Sequence, residues 1–342
     1  MTADAHCNFE SMPNRPEPLI VATRRGLYCP PGDFYIDPAK PVQTAIATHA
    51  HGDHLREGSA RVVLAAPGLG IAKKRLKDAR GVSAVEYGAP VRLGPVSVSL
   101  HPAGHILGSS QVRVEHDGQV WVVSGDYKRQ PDPTCAPFEP VSCDVFISEA
   151  TFGRPHFVWP DTPAVAAEIV RWWHGNRERG LASVLFAYAL GKAQRVLAEM
   201  RAFTAETVYV HGEVASLVET YRRAGVDMLP TQPLAKAEGH DYRGALVLAA
   251  PTQARASWLR RLGPQARGFC SGWMLLEGEP RRRGYDAGFV ISDHADWPAL
   301  LQSCEQSGAP RVLFTHGEGT QLAAHLRATG VDAGPLAPQA SI

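Results

Sequence analysis

The sequence predicts an α/β protein that combines two architectures in one chain of 342 residues. Before about residue 130, short β-rich segments follow one another as meanders and hairpins, with the turn-forming pair Asp117-Gly118 between two of them. After that point, apolar strand-like segments alternate with segments of helical periodicity. The change of pattern predicts that the chain has two parts with different strand connections.

The predicted strands are short segments rich in β-forming residues, and several are continuously apolar, which is typical of strands covered on both faces. In chain order they are Thr44–Thr48, Arg61–Ala65, Val96–Leu100, Gln111–Glu115, Val120–Ser124, Val145–Ser148, Ser183–Ala187, Thr207–Val210, Ala245–Ala249, Gly288–Ser292 and Arg311–Thr315.

The predicted helices lie between the later strands. The first has a clear start, because Asp161 can cap its N-terminus and Pro163 suits its first turn. The predicted helices are Asp161–Arg179, Gly191–Phe203, Glu213–Ala224, Thr252–Leu262, Trp297–Gln306 and Glu318–Ala328.

Composition excludes several classes of protein. The 35 basic and 34 acidic residues give a net charge of +1, so binding of nucleic acid by bulk positive charge is not expected, although a local basic groove is compatible. No segment approaches the roughly 20 apolar residues that span a bilayer. The N-terminal segment is polar, and the 6 cysteines show no CxxC spacing. We therefore expect a cytoplasmic protein without membrane association.

The most informative segment combines potential metal ligands at close spacing. His49, His51, Asp53 and His54 follow the predicted strand Thr44–Thr48 within six residues. Imidazole and carboxylate groups suit zinc, and also manganese or iron. Because this density of histidine is very improbable by chance, the segment predicts a metal site on a loop at a strand end.

Three further residues complete the predicted ligand set. His105, Asp126 and His316 each follow or end a predicted strand and lie beside a glycine. Each of them alone would more often be an ordinary polar residue. Together with the histidine-rich segment they supply enough donors for two metal ions.

The complete pattern resembles the metallo-β-lactamase superfamily, a four-layer αββα fold with a dinuclear site. Three further motifs are similar to those of its β-CASP branch, the nucleases that act on DNA or RNA. They are motif A at Ser148–Gly153, motif B at Ser292–Asp296 and motif C at Thr315–Glu318. The resemblance covers about residues 20–335 and is nearest to the bacterial DNA-ligase-associated exonucleases.

The resemblance implies the fold, the domains and the metals. The expected fold is a metallo-β-lactamase αββα sandwich, formed by residues 1–154 and 286–342, with an inserted β-CASP α/β domain at residues 155–285. Two divalent ions, Zn²⁺ or Mn²⁺, would be bound. Their implied ligands are His49, His51 and His105 for one ion, Asp53, His54 and His316 for the other, and Asp126 as the bridge.

The resemblance also implies the catalytic roles. Besides the ligands Asp53 and Asp126, His294 is expected to act as the general acid that protonates the leaving 3′ oxygen. Glu149 would hold the far nitrogen of His294 and favour its charged form. Asp37 would orient the histidine-rich loop without touching a metal.

Other residues are expected at the substrate. Lys192, at the start of a predicted helix, and Ser292 are candidates for contact with a substrate phosphate. Trp273 could stack on a base or pack in the core, and the sequence leaves both alternatives open.

The leading functional hypothesis is a DNA 5′ exonuclease that acts on single strands in DNA repair, associated with an ATP-dependent DNA ligase. The principal alternative is a β-CASP ribonuclease, because a histidine such as His316 at motif C is typical of RNA-acting members. A small-molecule hydrolase shares the metal motif but needs neither the insertion nor Glu149 and His294. A non-catalytic partner subunit would be expected to lack ligands.

Overall fold

The computed structural model describes residues 17–234 and 241–337, which form a mixed α/β structure. The strands are β1 (Val21–Thr23), β2 (Gly26–Cys29), β3 (Phe34–Ile36), β4 (Thr44–Ile46), β5 (Arg61–Ala65), β6 (Val82–Val85), β7 (Val91–Leu93), β8 (Val96–Pro102), β9 (Ser110–His116), β10 (Gln119–Val123), β11 (Val145–Ala150), β12 (Ala182–Phe186), β13 (Val208–Val210), β14 (Thr231–Pro233), β15 (Leu246–Ala249), β16 (Gln265–Cys270), β17 (Ala287–Phe289), β18 (Arg311–Gly317) and β19 (Asp332–Pro335). The α-helices are α1 (Leu69–Arg75), α2 (Thr162–Glu178), α3 (Lys192–Glu199), α4 (Gly212–Arg223), α5 (Glu279–Arg282), α6 (Trp297–Gln306) and α7 (Thr320–Ala328).

The described strands form three sheets. The first has the order β1-β2-β3-β4-β5-β6, and the second has the order β19-β18-β11-β10-β9-β8-β7. The third has the order β14-β13-β15-β12-β16-β17, and all of its strand pairs are parallel. Parallel neighbours need crossover connections, which explains why helices alternate with strands in this part of the chain.

Apolar residues between the layers define the architecture. One buried cluster joins the inner faces of the first two sheets and includes Phe34, Ile46, Val98 and Val114. A second covers the other face of the second sheet with α6 and α7. The largest packs the other face of the first sheet against α1 and the helices of the third sheet. The layers are therefore helix, sheet, sheet and helix, with the third sheet alongside, as the sequence predicts.

The predicted hairpin at Asp117-Gly118 is confirmed. Strands β9 and β10 pair antiparallel with Gln119 opposite His116. Both turn residues have positive φ angles, 48° at Asp117 and 75° at Gly118, as a type I′ turn requires.

The predicted helix Thr252–Leu262 is wrong. The segment forms two 3-10 helices, Pro251–Gln253 and Ser257–Leu262, separated by an extended Ala256. Leu259 and Leu262 are both buried at a spacing of three residues, which suits the three residues per turn of a 3-10 helix. Leu259 and Leu262 are therefore buried on a 3-10 helix and not on the predicted α-helix.

Within residues 17–234 and 241–337, the helices are too short or too polar to cross a lipid bilayer. Five described cysteines, namely Cys29, Cys135, Cys143, Cys270 and Cys304, are free thiols, and Cys7 lies outside the described residues. The cytoplasmic location stays a prediction.

Close backbone packing holds the loop after β8, which carries His105. Gly108 has a φ of 79°, and a Cβ atom there would lie 2.2 Å from the Cα of Gly68. At Gly118, with a similar φ of 75°, a Cβ would meet no atom within 4 Å. The two glycines thus share a left-handed conformation but differ in available space.

We expect Gly108→Ala to be more destabilising than Gly118→Ala. Both substitutions pay about 1–2 kcal/mol for the left-handed conformation, but only Gly108→Ala adds an overpacking cost of about 1–3 kcal/mol. Urea unfolding of both variants measures the difference in the free energy of unfolding. Equal destabilisation would contradict the close contact with Gly68.

Candidate metal centre

Four predicted ligands converge on one point. His49, His51, His105 and Asp126 each offer a ligand atom, and these atoms lie within 4.8 Å of one another. Nδ1 of His51 lies 2.9 Å from Nε2 of His49 and 3.1 Å from Nε2 of His105. Asp126 Oδ2 lies 3.7 Å from His49 Nε2 and 3.8 Å from His105 Nε2. Residues separated by up to 77 positions therefore form one cluster.

Strand ends bring these residues together. The histidine-rich loop follows β4, His105 follows β8, and Asp126 follows β10. Each loop leaves one of the two stacked sheets, so the cluster lies where the ends of the sandwich meet. The sequence also predicts the candidate ligands at strand ends.

The outer nitrogen of each imidazole has an acceptor. His51 Nε2 lies 3.2 Å from the Leu190 carbonyl oxygen, and His105 Nδ1 lies 2.6 Å from that of Asp293. A carbonyl oxygen can only accept, so each of these nitrogens must carry the proton. The nitrogens that face the cluster, His51 Nδ1 and His105 Nε2, consequently present lone pairs.

The same reasoning applies to His49. Its Nδ1 lies 3.0 Å from Thr48 Oγ1, and that hydroxyl donates its hydrogen to Asp37 Oδ2 at 2.6 Å. The hydroxyl can then only accept from the imidazole, which leaves the lone pair of His49 on Nε2, inside the cluster. Three buried lone pairs therefore point at one another.

The local environment keeps these imidazoles neutral. Burial lowers the pKa of His49, His51 and His105, and the neighbouring histidines lower it further at His49. Asp126 is held ionised, since its histidine partners, led by the hydrogen bond from His54, keep its pKa well below the usual range despite burial. Neutral imidazoles beside a carboxylate are the form in which these groups bind metals.

A divalent cation fits this cluster. Inward-facing lone pairs at about 3 Å repel one another, and a cation between them would replace that repulsion with coordination. Three imidazoles and one carboxylate form a donor set suited to Zn²⁺ and also to Mn²⁺ or iron. The acceptors behind each ring are the outer hydrogen bonds typical of metal-bound histidine.

The second predicted ligand group is more open. His54 Nε2 lies 3.4 Å from Asp126 Oδ2 and 3.8 Å from Asp53 Oδ2, and the Asp53 side chain is 74% exposed. The ring centroid of His316 lies 6.0 Å from that of His54, and His316 is also exposed. The structure thus brings these residues to the same site, but less tightly than the first group.

A β-bulge explains the orientation of His316. In the parallel pair of β11 and β18, Glu149 is opposite Thr315 but Ala150 is opposite Gly317, so His316 is left between the paired residues. His316 has a φ of 53°, a conformation that is uncommon for residues other than glycine. Such bulges often redirect a side chain beside a functional site.

Asp37 holds the histidine-rich loop, as the sequence predicts. Its carboxylate accepts hydrogen bonds from the Thr48 backbone N–H at 2.8 Å, from the Thr48 hydroxyl and from His54 Nδ1 at 2.7 Å. Burial alone would lower the pKa of His54, but Asp37 and Asp126 raise it to about 11. Asp37 therefore fixes both the loop backbone and the His54 ring.

Glu149 and His294 form a pair beside Asp126. Both carboxylate oxygens of Glu149 lie 2.9 Å from His294 Nδ1. The carboxylate also accepts from the Tyr127 N–H at 2.8 Å and from the Thr151 hydroxyl. Burial lowers the pKa of His294, but the charge and the hydrogen bond of Glu149 outweigh it and raise the pKa to about 9. The His294 imidazole is thereby held in its protonated form at neutral pH.

The two predicted phosphate contacts have partners within the protein. Lys192 Nζ lies 2.6 Å from Asp293 Oδ2, and both side chains are only 5% exposed. Ser292 Oγ accepts from the His294 N–H at 3.1 Å and lies 3.2 Å from the carbonyl oxygen of that residue. Both residues nevertheless line the cleft at the cluster.

Sequence reasoning missed a buried charged cluster behind the site. Arg195 and Lys128 are fully buried and lie 3.6 and 2.5 Å from Asp132 Oδ2. Arg195 also donates to the carbonyl oxygen of Ser292 at 2.7 Å. A weak signal existed, since Arg195 occupies a helix position whose neighbours are apolar and buried.

The site opens into a cleft of about 430 Å³. Its walls come from both halves of the ligand set and from loops of the third sheet, with these lining residues: His51, Gly52, Asp53, His54, His105, Asp126, Thr151, Phe152, Tyr188, Lys192, Ser271, Gly272, Trp273, Ser292, Asp293, His294 and His316. Several predicted ligands, His294 and the buried Lys192 thus border one space, and Glu149 lies behind His294 without lining it.

The sequence is similar to those of several named proteins. The chain is 31% identical over 318 residues to a probable DNA ligase from Opitutus terrae, a match that covers 92% of the chain and 31% of that protein. It is 30% identical over 209 residues to ribonuclease TTHA0252 from Thermus thermophilus, covering 52% and 45%. It is 21% identical over 302 residues to the endoribonuclease YSH1 from Eremothecium gossypii, covering 70% and 38%. The chain therefore spans about a third to just under half of the length of these relatives.

No family model matches the chain. A crystal structure of a protein of unknown function from Enterococcus faecalis superposes with a TM-score of 0.58 at 12% identity, covering 81% of this chain and 76% of that one, which shows a shared fold. The names of these relatives, the mixed α/β fold and the His/Asp cluster all indicate the same family. The chain belongs to the metallo-β-lactamase/β-CASP nuclease family.

Proposed function

We propose that this chain is a metal-dependent phosphodiesterase that degrades nucleic acid, acting as a 5′ exonuclease on single-stranded DNA in DNA repair. The observation that carries the proposal is one cleft lined by predicted ligands of both groups and by His294, whose Nδ1 is held by the buried Glu149. A small-molecule hydrolase would need the ligands but has no use for this pair.

Two divalent ions are proposed as cofactors, Zn²⁺ or Mn²⁺. One would be held by His49, His51 and His105, the other by Asp53, His54 and His316, and Asp126 would be shared. When bound, such ions stabilise charge on phosphoryl oxygens and lower the pKa of an attacking water. The protein supplies the fixed tautomers that aim each lone pair into the cluster.

His294 is proposed as the general acid. Its Nδ1 is taken by Glu149, so the proton available for transfer is on Nε2. With a pKa raised to about 9, the ring carries this proton at neutral pH. The leaving 3′ oxygen of a nucleotide is a poor leaving group unless it is protonated, and a donating imidazolium meets that need.

Lys192 and Ser292 are proposed to contact a substrate phosphate. Asp293 already neutralises part of the Lys192 charge, since their side chains form a buried ion pair. The lysine would therefore fix the position of a phosphate more than it would contribute affinity. Ser292 has its Oγ close to the His294 backbone, so it can orient the acid and face the cleft at the same time.

The DNA assignment and the domain limits are parts of the same proposal. The relative from Opitutus terrae is named a probable DNA ligase, and its match covers 92% of this chain, which favours a DNA substrate and an association with an ATP-dependent DNA ligase. Residues 155–285 would form the inserted β-CASP domain. The third sheet, which includes strands from Ala182 to Phe289, supports such an insertion.

RNA cleavage is the second candidate. The relatives from Thermus thermophilus and Eremothecium gossypii are named ribonucleases, and His316 is present at motif C. The catalytic residues would have the same roles on either polymer, because both contain the same phosphodiester group.

Asp37→Asn is expected to weaken metal binding by about 10- to 100-fold, the usual effect of losing an outer hydrogen-bond partner. The measurement is competition for Zn²⁺ against a chromogenic chelator. Asp33→Asn is the matched control, since Asp33 is exposed and has a φ of 47° against 48° at Asp37. Equal affinity in both variants would rule out the proposed role of Asp37.

Glu149→Gln is expected to move the alkaline limit of activity to lower pH. Protonated His294 is the active form, so activity falls as pH rises through about 9. Removing the Glu149 charge lowers the His294 pKa by roughly 1–3 units, the usual effect of an adjacent opposite charge, and the limit follows. Complete pH–rate profiles measure this alkaline limit. The control is Glu139→Gln, which removes the carboxylate of the exposed pair that Glu139 forms with His101. An unmoved limit would exclude His294 as the acid.

Matched single-stranded DNA and RNA, labelled at either end, test the substrate with Mn²⁺ or Zn²⁺ present. We expect mononucleotide release from 5′-labelled DNA and its loss in Asp126→Ala, because that variant lacks the carboxylate shared by both ligand groups. Preferential cleavage of RNA would replace the DNA assignment with the ribonuclease one. Cleavage of neither polymer would refute the proposed nuclease function.

A further inference from the structure

Two exposed aromatic side chains line the cleft of the metal centre. Among the described residues, four large hydrophobic side chains are exposed: Val158, Tyr188, Phe203 and Trp273. Of these, Tyr188 at 55% and Trp273 at 38% exposure face the cleft. Exposed aromatic rings at a candidate active site are more informative than scattered surface residues, because their uncovered faces can be buried only by a ligand.

The third sheet places the two rings at the same edge. Tyr188 follows β12 and Trp273 follows β16, and these strands are adjacent and parallel. Loops at the carboxyl ends of neighbouring parallel strands lie side by side, which is where ligands bind to such sheets. The metal ligands come from the first two sheets, so the cleft has an ionic wall and an aromatic wall.

Trp273 is held rigidly from behind. Its ring centroid lies 5.0 Å from that of Phe152 and 5.6 Å from that of Phe157, the latter at 90°. Ser271 Oγ accepts from the Trp273 N–H at 3.3 Å. Phe152 in turn contacts His294, with ring centroids 6.1 Å apart. The indole is therefore fixed relative to the proposed acid while part of its surface stays open.

Tyr188 has a different support. Lys192 Nζ lies 5.5 Å from the centroid of the Tyr188 ring, within the range of a cation–π contact. The ring therefore lies next to a cation that the Asp293 carboxylate holds in place. Tyr188 and Trp273 are positioned by separate contacts, so each can be replaced without removing the support of the other.

We propose that Tyr188 and Trp273 are specificity-determining residues that stack on nucleobases of a single strand whose phosphodiester lies at the metal centre. This inference rests on the proposed nuclease function and specifies its substrate class. A phosphodiester bound by the ionic wall carries nucleosides, and their flat faces match the exposed rings. In a duplex the bases are stacked on each other, so only unpaired nucleotides can offer these faces.

The test combines protein variants with abasic DNA. Tyr188→Leu and Trp273→Leu keep an apolar side chain but remove the ring, and Phe203→Leu is the matched control because Phe203 is 42% exposed outside the cleft lining. Anisotropy measures binding of fluorescein-labelled decathymidylate with phosphorothioate linkages in Mn²⁺, because this backbone resists hydrolysis while the metal stays available to the site. A second series of the same oligonucleotide carries one tetrahydrofuran abasic residue, placed at each position in turn.

Each ring variant is expected to lose roughly 5- to 150-fold in affinity, the usual contribution of one stacked base, while Phe203→Leu binds as the wild type does. In the wild type, one or two abasic positions should cause a similar loss, and that loss should disappear in the matching ring variant. The inference would be overturned if each ring variant lost as much affinity for abasic DNA as for intact DNA, or if neither ring variant lost affinity. Circular dichroism of Trp273→Leu identifies misfolding, and Tyr188→Leu, whose ring is mostly exposed, then decides.

A separate experiment tests the proposed nuclease function. Hydrolysis of bis(p-nitrophenyl) phosphate in Mn²⁺ reports the phosphodiesterase chemistry on a substrate without nucleosides. If the wild type cleaves neither this ester nor DNA nor RNA, the nuclease proposal is refuted, whereas the binding series still tests stacking. If both substrates are cleaved and the abasic series shows no ring-dependent position, stacking alone is refuted.

Discussion

The site depends on one constraint: three imidazoles, of which those of His49 and His105 are buried and that of His51 is half-buried, must present lone pairs to the same point. Their inward nitrogens lie 2.9 and 3.1 Å apart, a distance that protonated rings could not share without strong repulsion. The constraint is met from outside, because each outer nitrogen has an acceptor that retains its proton. The acceptors therefore determine whether the cluster can bind a cation.

Two of those acceptors come from outside the first two sheets. The Leu190 carbonyl belongs to the loop between β12 and α3, and the Asp293 carbonyl follows β17. The first two sheets supply the histidines, but the third-sheet region fixes the tautomers of His51 and His105. The third sheet must therefore pack against the two stacked sheets for these tautomers to be fixed, and the same packing closes the cleft.

Buried charges maintain that packing. Arg195, on α3, donates to the Ser292 carbonyl oxygen at 2.7 Å and to Thr162 Oγ1 at 2.8 Å, while Lys192 pairs with Asp293. Ion pairs of this kind add little net stability over apolar packing, but removing one partner costs about 3–5 kcal/mol. An arrangement that displaced α3 from the Ser292-Asp293 loop would leave these charges unpaired. The network therefore favours the one alignment in which the Asp293 carbonyl reaches His105.

The sequence contained the ligands but not their supports. The spacing of His49, His51, Asp53 and His54 is local, so it could be recognised without a structure, and strand-end positions suggested His105 and Asp126, which the structure brings to the same cluster. The Leu190 and Asp293 carbonyls could not be found, because every residue has a carbonyl and their partners lie 139 and 188 positions away. The short strands β1 and β2 were not predicted, since three or four residues carry little periodicity.

The two ligand groups differ in ways that indicate how substrate approaches. His49 is buried and does not line the cleft, whereas His51 and His105 line it together with Asp53, His54 and His316. The acceptors behind His49, His51 and His105 fix the first group, while Asp53 is largely exposed and His316 lies in a β-bulge. Because a catalytic metal site needs one side open to substrate, the proposed function would place its substrate on the side of Asp53 and His316. Tyr188 and Trp273 line the same cleft, so under the proposed function a strand whose phosphodiester reached the ligands would also lie against the aromatic wall.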